Sequence, residues 1–241
     1  SYRLLGERYI DQREYLRAKE NFIKGINLFE EKNQLNGFES DKNVGITYAD
    51  LADIDYFISG DLDNAERNYV NSINNKNDNS SIRYKLGYIN YRDEDYEDAV
   101  NHFLVASKDK DSDLNLMLAL GNSLSLKDDN FASVGYYQRL IELLDFEIEK
   151  KDIILPQINE EDTYLVDMYL KATNNIGVGQ FRIARETGNS NLNGQSMNNL
   201  QESLRAWDSF TRNPVTMVKL PGTNLAEQNL KYIINPVSTF E

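Results

Sequence analysis

A 34-residue spacing limits what this chain can fold into more than any other feature it carries. From Ser80 to Asp113 the sequence passes through Leu86-Gly87 and Tyr91 and an acidic break at Asp93-Glu94-Asp95. It then reaches Tyr96, Ala99, Phe103 and Ala106. Two apolar runs at helical spacing around a short polar turn outline a helical hairpin. A step of 34 forward meets Leu120-Gly121 and Tyr137; the same step back meets Gly60, Leu62, Ala65 and Tyr69. A lone hairpin cannot bury its apolar face, so a fixed period implies stacked hairpins that share a core. The expected fold class is all-α, a solenoid of such hairpins.

Composition narrows the partners. The chain has 241 residues, room for about five to seven hairpins. Only one of its four prolines precedes residue 200, leaving long tracts free for helix, and sustained period-two alternation is absent. The net charge of −13 opposes binding to duplex nucleic acid or to an anionic membrane surface. Residues 1–163 carry 19 Lys and Arg against 33 Asp and Glu, whereas residues 164–241 carry 7 against 6. The acidic part is therefore the repeat array. Without cysteine there is no disulfide framework, thiolate metal site or cysteine nucleophile. No run is long enough to cross a membrane, and no signal peptide is present. The sequence opens at Ser1 already inside a repeat, with Leu5-Gly6. It reads as a piece of a longer protein, so the missing targeting segment says little.

Taken in order, the first hairpin spans Tyr2 to about Glu31, with Leu5, Gly6 and Tyr9 on one helix and Tyr15, Ala18, Phe22 and Gly25 on the other. Lys32 to Asn43, with an Asn36-Gly37 turn signal and the aromatic Phe38, reads as a surface insertion. The second hairpin runs from Val44 to Asn74 and turns at Ser59-Gly60-Asp61; the fourth spans Asp113 to Lys151 and turns at Lys127–Asn130. Pro156 then breaks the helix. A long helix is expected over Glu160–Glu186, a loop over Thr187–Gln195, and a further helix from Ser196 to the Asn213-Pro214 stop. A last short helix from Asn224 to about Ile234 would cap the array. The expected organisation is four hairpins over 1–151, then a lengthened fifth hairpin and capping helix over 152–241, packed as one continuous solenoid.

These positions resemble the tetratricopeptide-repeat (TPR) superfamily, whose hairpin pairs Leu-Gly on its first helix with small and aromatic residues on its second. Leu5-Gly6, Leu86-Gly87 and Leu120-Gly121 match the first helix. Ala18/Phe22/Gly25, Ala65/Tyr69/Ser72 and Ala99/Phe103/Ala106 match the second, with Tyr137 carrying the aromatic of the fourth hairpin. The second hairpin departs from the pattern with Ala52-Asp53 in the Leu-Gly place. The resemblance implies a right-handed superhelix whose concave face, lined by first helices, binds a peptide or a partner helix. The family's carboxylate-clamp variant is not expected, because Glu7 and Ile54 stand where the clamp needs amides. The segment Ser203–Pro214, with the Asn-rich helix that follows it, is similar to spirochaete periplasmic repeat proteins that build the collar of the flagellar motor.

The candidate binding residues come from that register. Tyr84, Tyr88 and Tyr91 fall at i, i+4 and i+7 with Arg92 beside them. They either face the concave groove or pack between hairpins. Ile54, Phe57 and Ile58, and on the fourth hairpin Leu118, Asn122 and Ser125, would extend the wall. Arg182, Arg185, Arg205 and Arg212, around Trp207, could make a second, basic contact face able to meet the acidic array of another copy. His102, the only histidine, is expected on the outer, solvated side of its helix. No catalytic residue, metal site or cofactor is assigned. Asp109, Asp111 and Asp113 start like a calcium loop but lack its later Gly and Glu.

The function expected is protein–protein interaction without chemistry of its own. The partners would be proteins, among them other subunits of a large assembly, with neither nucleic acid nor membrane insertion of this segment. The sharper reading is a structural part of a bacterial periplasmic assembly such as the flagellar collar. The alternative is a chaperone or secretion adaptor, periplasmic or cytoplasmic, that holds extended client segments.

Overall fold

Where the apolar runs break, the backbone turns in the same way each time. Arg13, Gly60, Glu94 and Asp128 have positive φ, and the next residue opens the following helix. At that place the side chains of Asp61, Asp95 and Asp129 accept the backbone N–H groups of Asn64, Asp98 and Ala132. This satisfies an amide that the first helical turn leaves free. Glu14 holds the same place in the first hairpin without such a bond.

The protein, seen here as a computed structural model, is described over residues 1–37, 39–153, 159–211 and 227–230, less the side chains of 160 and 206–211. Phe38 and the segments 154–158, 212–226 and 231–241 lie outside the described residues. Every regular element in the described part is helical. The chain divides into two compact units, Ser1–Asp109 and Lys110–Glu241.

The first unit holds three hairpins: α1 (Tyr2–Asp11) with α2 (Tyr15–Asn36), α3 (Lys42–Ile54) with α4 (Leu62–Asn74), and α5 (Ser80–Arg92) with α6 (Tyr96–Ser107). A π-helical turn, Asp55–Ser59, continues α3. The expected insertion after Glu31 is absorbed partly by α2 itself, which continues to Asn36. One cluster joins Ala18, Phe22 and Ile26 of α2 to Tyr48, Leu51 and Ile54 of α3. A second joins Ala52, Ala65 and Tyr69 to Ile82, Leu86 and Ile89 of α5. Within this unit the first and second hairpins thus each complete their core against the one that follows.

The second unit holds α7 (Leu114–Leu126) with α8 (Asn130–Lys150), and α9 (Thr163–Thr187) with α10 (Ser190–Thr211). The loop expected over Thr187–Gln195 is corrected to two residues. Gly188 takes φ 69°, and the Asn189 side chain accepts the N–H groups of Asn191 and Leu192. That cap starts α10 despite Gly194 and the run of Asn. Of the expected capping helix, residues 227–230 are described and helical. Leu230 is buried, and Asn229 Nδ2 donates to Asn174 Oδ1 at 2.9 Å.

Within the first, third and fourth hairpins a glycine lets an aromatic ring lie against the opposite backbone. A Cβ on Gly6 would collide with the Phe22 ring; one on Gly87 would stand 2.7 Å from Phe103, and one on Gly121 2.5 Å from Tyr137. In the fifth hairpin Gly177 meets Leu200 at 2.7 Å instead. These distances are far below ordinary contact, so ring and backbone would have to part. Gly87→Ala is expected to destabilise the protein by about 1–3 kcal/mol. Gly135→Ala, at an exposed helical site with open space around it, should instead stabilise by about 0.5–1 kcal/mol. Urea denaturation of both variants checks the contrast.

Candidate functional site

The second hairpin breaks the glycine rule, and the breach shapes the most exposed aromatic surface of the first unit. Asp53 stands in the glycine place and Tyr69 in the ring place. The Tyr69 hydroxyl donates to Asp53 Oδ1 at 2.5 Å, and Lys85 Nζ of α5 donates to the same oxygen at 2.5 Å. The Lys85 ammonium also lies 5.3 Å from the Phe57 ring centroid and 5.4 Å from that of Tyr69. Burial and the Asp53 carboxylate push the Tyr69 hydroxyl up, so it remains a donor.

The π-helical turn then re-aims the side chains beyond Ile54. In an uninterrupted α-helix Ile54, Phe57 and Ile58 would share a face. The wider turn ends that stacking. Ile54 is 4% exposed, in the core with Leu51 and Phe22, while Phe57 is 63% and Ile58 51% exposed. Ile54 is therefore corrected from wall residue to core residue. Asp55, also buried, anchors the turn: Lys19 Nζ pairs with it at 2.5 Å and Asn68 Nδ2 donates to it at 3.0 Å. The backbone N–H of Asp61 reaches back to Asp55 O at 2.9 Å, closing the turn.

The tyrosine line of α5 divides by contact. Tyr88 is 42% exposed, and its ring meets Tyr56 edge-on at 6.2 Å. Tyr84 is half-buried against Phe103 at 5.7 Å, and Tyr91 half-buried against Tyr96 at 5.8 Å. Arg92 is exposed. Tyr56, which periodicity does not single out, is the hub: it touches Phe57, Tyr69 and Tyr88. Burial pushes its hydroxyl up to about 12. Phe57 and Tyr88, both against Tyr56 with Tyr69 behind it, thus form an aromatic face supported by two helices, and the exposed Ile58 follows Phe57 in the turn.

In the second unit Asn122 and Ser125, expected to extend the wall, are hydrogen-bonded to other side chains of the same unit. Asn122 Oδ1 accepts the Tyr137 hydroxyl at 2.7 Å and Asn175 Nδ2 at 3.2 Å. Leu118 is half-buried. Arg182 Nη1 donates to Ser125 O at 3.3 Å and Oγ at 3.2 Å, holding α9 to the end of α7. Arg185 lies 5.8 Å from the Phe181 ring on its own helix. Arg205 is exposed, while the Trp207 side chain and all of Arg212 lie outside the described residues.

Two titratable groups stand out. Asp50, one turn before Asp53 on α3, has one carboxylate oxygen buried without a hydrogen-bond partner. Burial, reinforced by the Glu7 and Asp53 charges, raises its pKa to about 6, with Arg3 and Lys85 opposing. His102 is corrected from the solvated side: it is half-buried, and Arg83 Nη1 stands 3.2 Å from its Nδ1. Arg83 also pairs with Asp78, and desolvation with the Arg83 charge lowers the His102 pKa. Among the described residues no cluster of three or more His, Asp or Glu could hold a metal ion, and no helix is long and apolar enough to cross a membrane.

This geometry matches solved repeat proteins. A structure of MamA (AMB-1) aligns with 83% of this chain and 90% of its own, at 16% identity and a TM-score of 0.50. A Podosopora anserina putative kinesin light chain with nearly identical TPR-like repeats aligns with 88% of this chain and 96% of its own. Its identity is 10% and its TM-score 0.51. The fold is therefore that of the TPR proteins: all-α helical hairpins in succession. No family model and no curated protein matches the sequence.

The raised Asp50 pKa fixes a sign. Its ionised form is disfavoured in the folded state, so stability falls as pH rises from about 4 through 6 and is constant above. Asp50→Asn should be more stable than the parent at pH 7 by about 1–2 kcal/mol, a figure reduced for the residue's partial exposure. The difference should vanish below about pH 4. Thermal unfolding of both proteins across pH 4–8 reads this directly.

Proposed function

We propose that this protein is a protein-binding scaffold that works through preformed surface and carries out no chemistry of its own. The observation that carries the reading is the exposed face of Phe57, Ile58 and Tyr88. Large rings with few rotatable bonds, fixed by Tyr56 and Tyr69 behind them, give contact area at little ordering cost. A short partner segment can lie on such a face without rearranging the helices. This favours the adaptor-like reading, in which an extended or helical segment is held, as the mode of binding. Tyr84 and Tyr91, half-buried against the α6 rings of Phe103 and Tyr96, offer less contact.

The finer reading, a structural part of a periplasmic assembly such as the flagellar collar, rests on the sequence of Ser203–Pro214 and the Asn-rich helix expected after it. Its test is deletion in the native organism. Lost motility with a motor lacking its collar density would support it, and a normal motor and normal motility would end it. Periplasmic location is part of the same proposal, and cell fractionation decides it.

For the scaffold reading, the double variant Phe57→Ser/Tyr88→Ser should weaken capture of the native partner at least about tenfold. Because Phe57 is 63% and Tyr88 42% exposed, urea denaturation should show a stability loss of no more than about 2 kcal/mol. Undiminished capture by this folded variant would exclude the aromatic face as the binding surface.

A further inference from the structure

We infer that Asp50 is the recognition point for a cationic side chain, Lys or Arg, on the segment that lies along Phe57, Ile58 and Tyr88. This rests on reading that face as the partner-binding surface. Every cation near Asp50 is already committed: Arg3 closes on Glu7, and Lys85 closes on Asp53. Asp50 itself makes no ion pair among the described residues, and one of its oxygens is buried with no hydrogen bond. A carboxylate in that condition weakens the fold, and a positive charge arriving from outside the chain would offset the cost. The side chain as a whole is only half-buried, so its charge reaches solvent.

Position ties this carboxylate to the aromatic face. Asp50 and Asp53 stand one turn apart on α3, and Phe57 follows in the π-helical turn that continues it. Lys85 bridges the line from α5, bonded to Asp53 and resting over Phe57. That resting place also demonstrates that these rings accept an ammonium group. At the tyrosine side of the face the nearby charge is the exposed Arg92, which acts on Tyr56. A cation on the partner is therefore drawn to the Asp50 side and repelled from the other. The segment that fits pairs a Lys or Arg with a neighbouring aromatic or aliphatic residue. An acidic segment is disfavoured there.

The test is selection of random twelve-residue peptides on phage against the intact protein, followed by binding of the synthesised winners. Peptides that lose affinity for Phe57→Ser/Tyr88→Ser are expected to carry Lys or Arg beside an apolar residue. Replacing that Lys or Arg by Gln should weaken binding to the parent about tenfold and leave binding to Asp50→Asn nearly unchanged. An equal loss on both proteins, or winners without a cation, would overturn the Asp50 assignment while leaving the aromatic face intact. If no selected peptide depends on Phe57 and Tyr88, the aromatic face fails and the Asp50 assignment fails with it. Since Asp50→Asn is expected to be the more stable protein, misfolding does not confuse the comparison.

Discussion

The contact between a glycine on one helix and a ring on the next sets the geometry of the hairpins. At Gly6 and Phe22, Gly87 and Phe103, and Gly121 and Tyr137, the ring lies where a Cβ would be. Such an approach fixes the distance between the two helices, and the positive-φ turn seven residues after each glycine fixes their direction. With both set, the inward faces of α3 and α5 meet the preceding hairpins at the spacing their side chains fill. The fifth hairpin obeys the same constraint with different parts. Gly177 receives Leu200, and Ser196 Oγ bonds to Gly177 O at 2.7 Å. Its helices extend further beyond the contact before Gly188 turns the chain.

The second hairpin satisfies the constraint by polar means, and that substitution gives the protein its exposed aromatic face. With Asp53 in place of glycine, the ring opposite is a tyrosine whose hydroxyl bonds to the carboxylate. Lys85 completes the arrangement from the next hairpin. The adjoining π-helical turn lets Asp55 reach Lys19 and Asn68 inside while Phe57 and Ile58 emerge outside. A local departure from the repeat thus costs regularity and yields a surface. Departures of this kind, including π-turns, are frequent at functional places in helical proteins.

Much of this architecture is legible in the residues. The repeat spacing, the acidic turns and the small residues facing rings are all periodic signals, and periodicity survives any change of neighbour. Less legible are features that hinge on a single geometric event. The π-turn has no sequence signature, so spacing alone groups Ile54 with Phe57 and Ile58 and passes over Tyr56. The loop expected around Gly194 does not form, because an Asn cap and the buried Ser196 outweigh weak intrinsic helix propensity. The helix position of His102 suggests the solvated side, since it says nothing of Arg83, which reaches the ring from another helix.

The sequence by itself determined the class of fold: an all-α array of hairpins, with their turns and most of their internal contacts. It could do so because each hairpin is built from neighbours close along the chain. Only the tertiary structure decided which aromatic residues are exposed and, among the described residues, which of two neighbouring carboxylates has an ion pair. Tyr84, Tyr88 and Tyr91 are equivalent in spacing, yet Tyr84 and Tyr91 are covered by rings from α6 while Tyr88 stays exposed. Asp50 and Asp53 are both acidic and one turn apart, yet Lys85 reaches Asp53 alone. Exposure and charge compensation belong to surfaces assembled from several helices, and the reach of one side chain across them settles which carboxylate gains an ion pair.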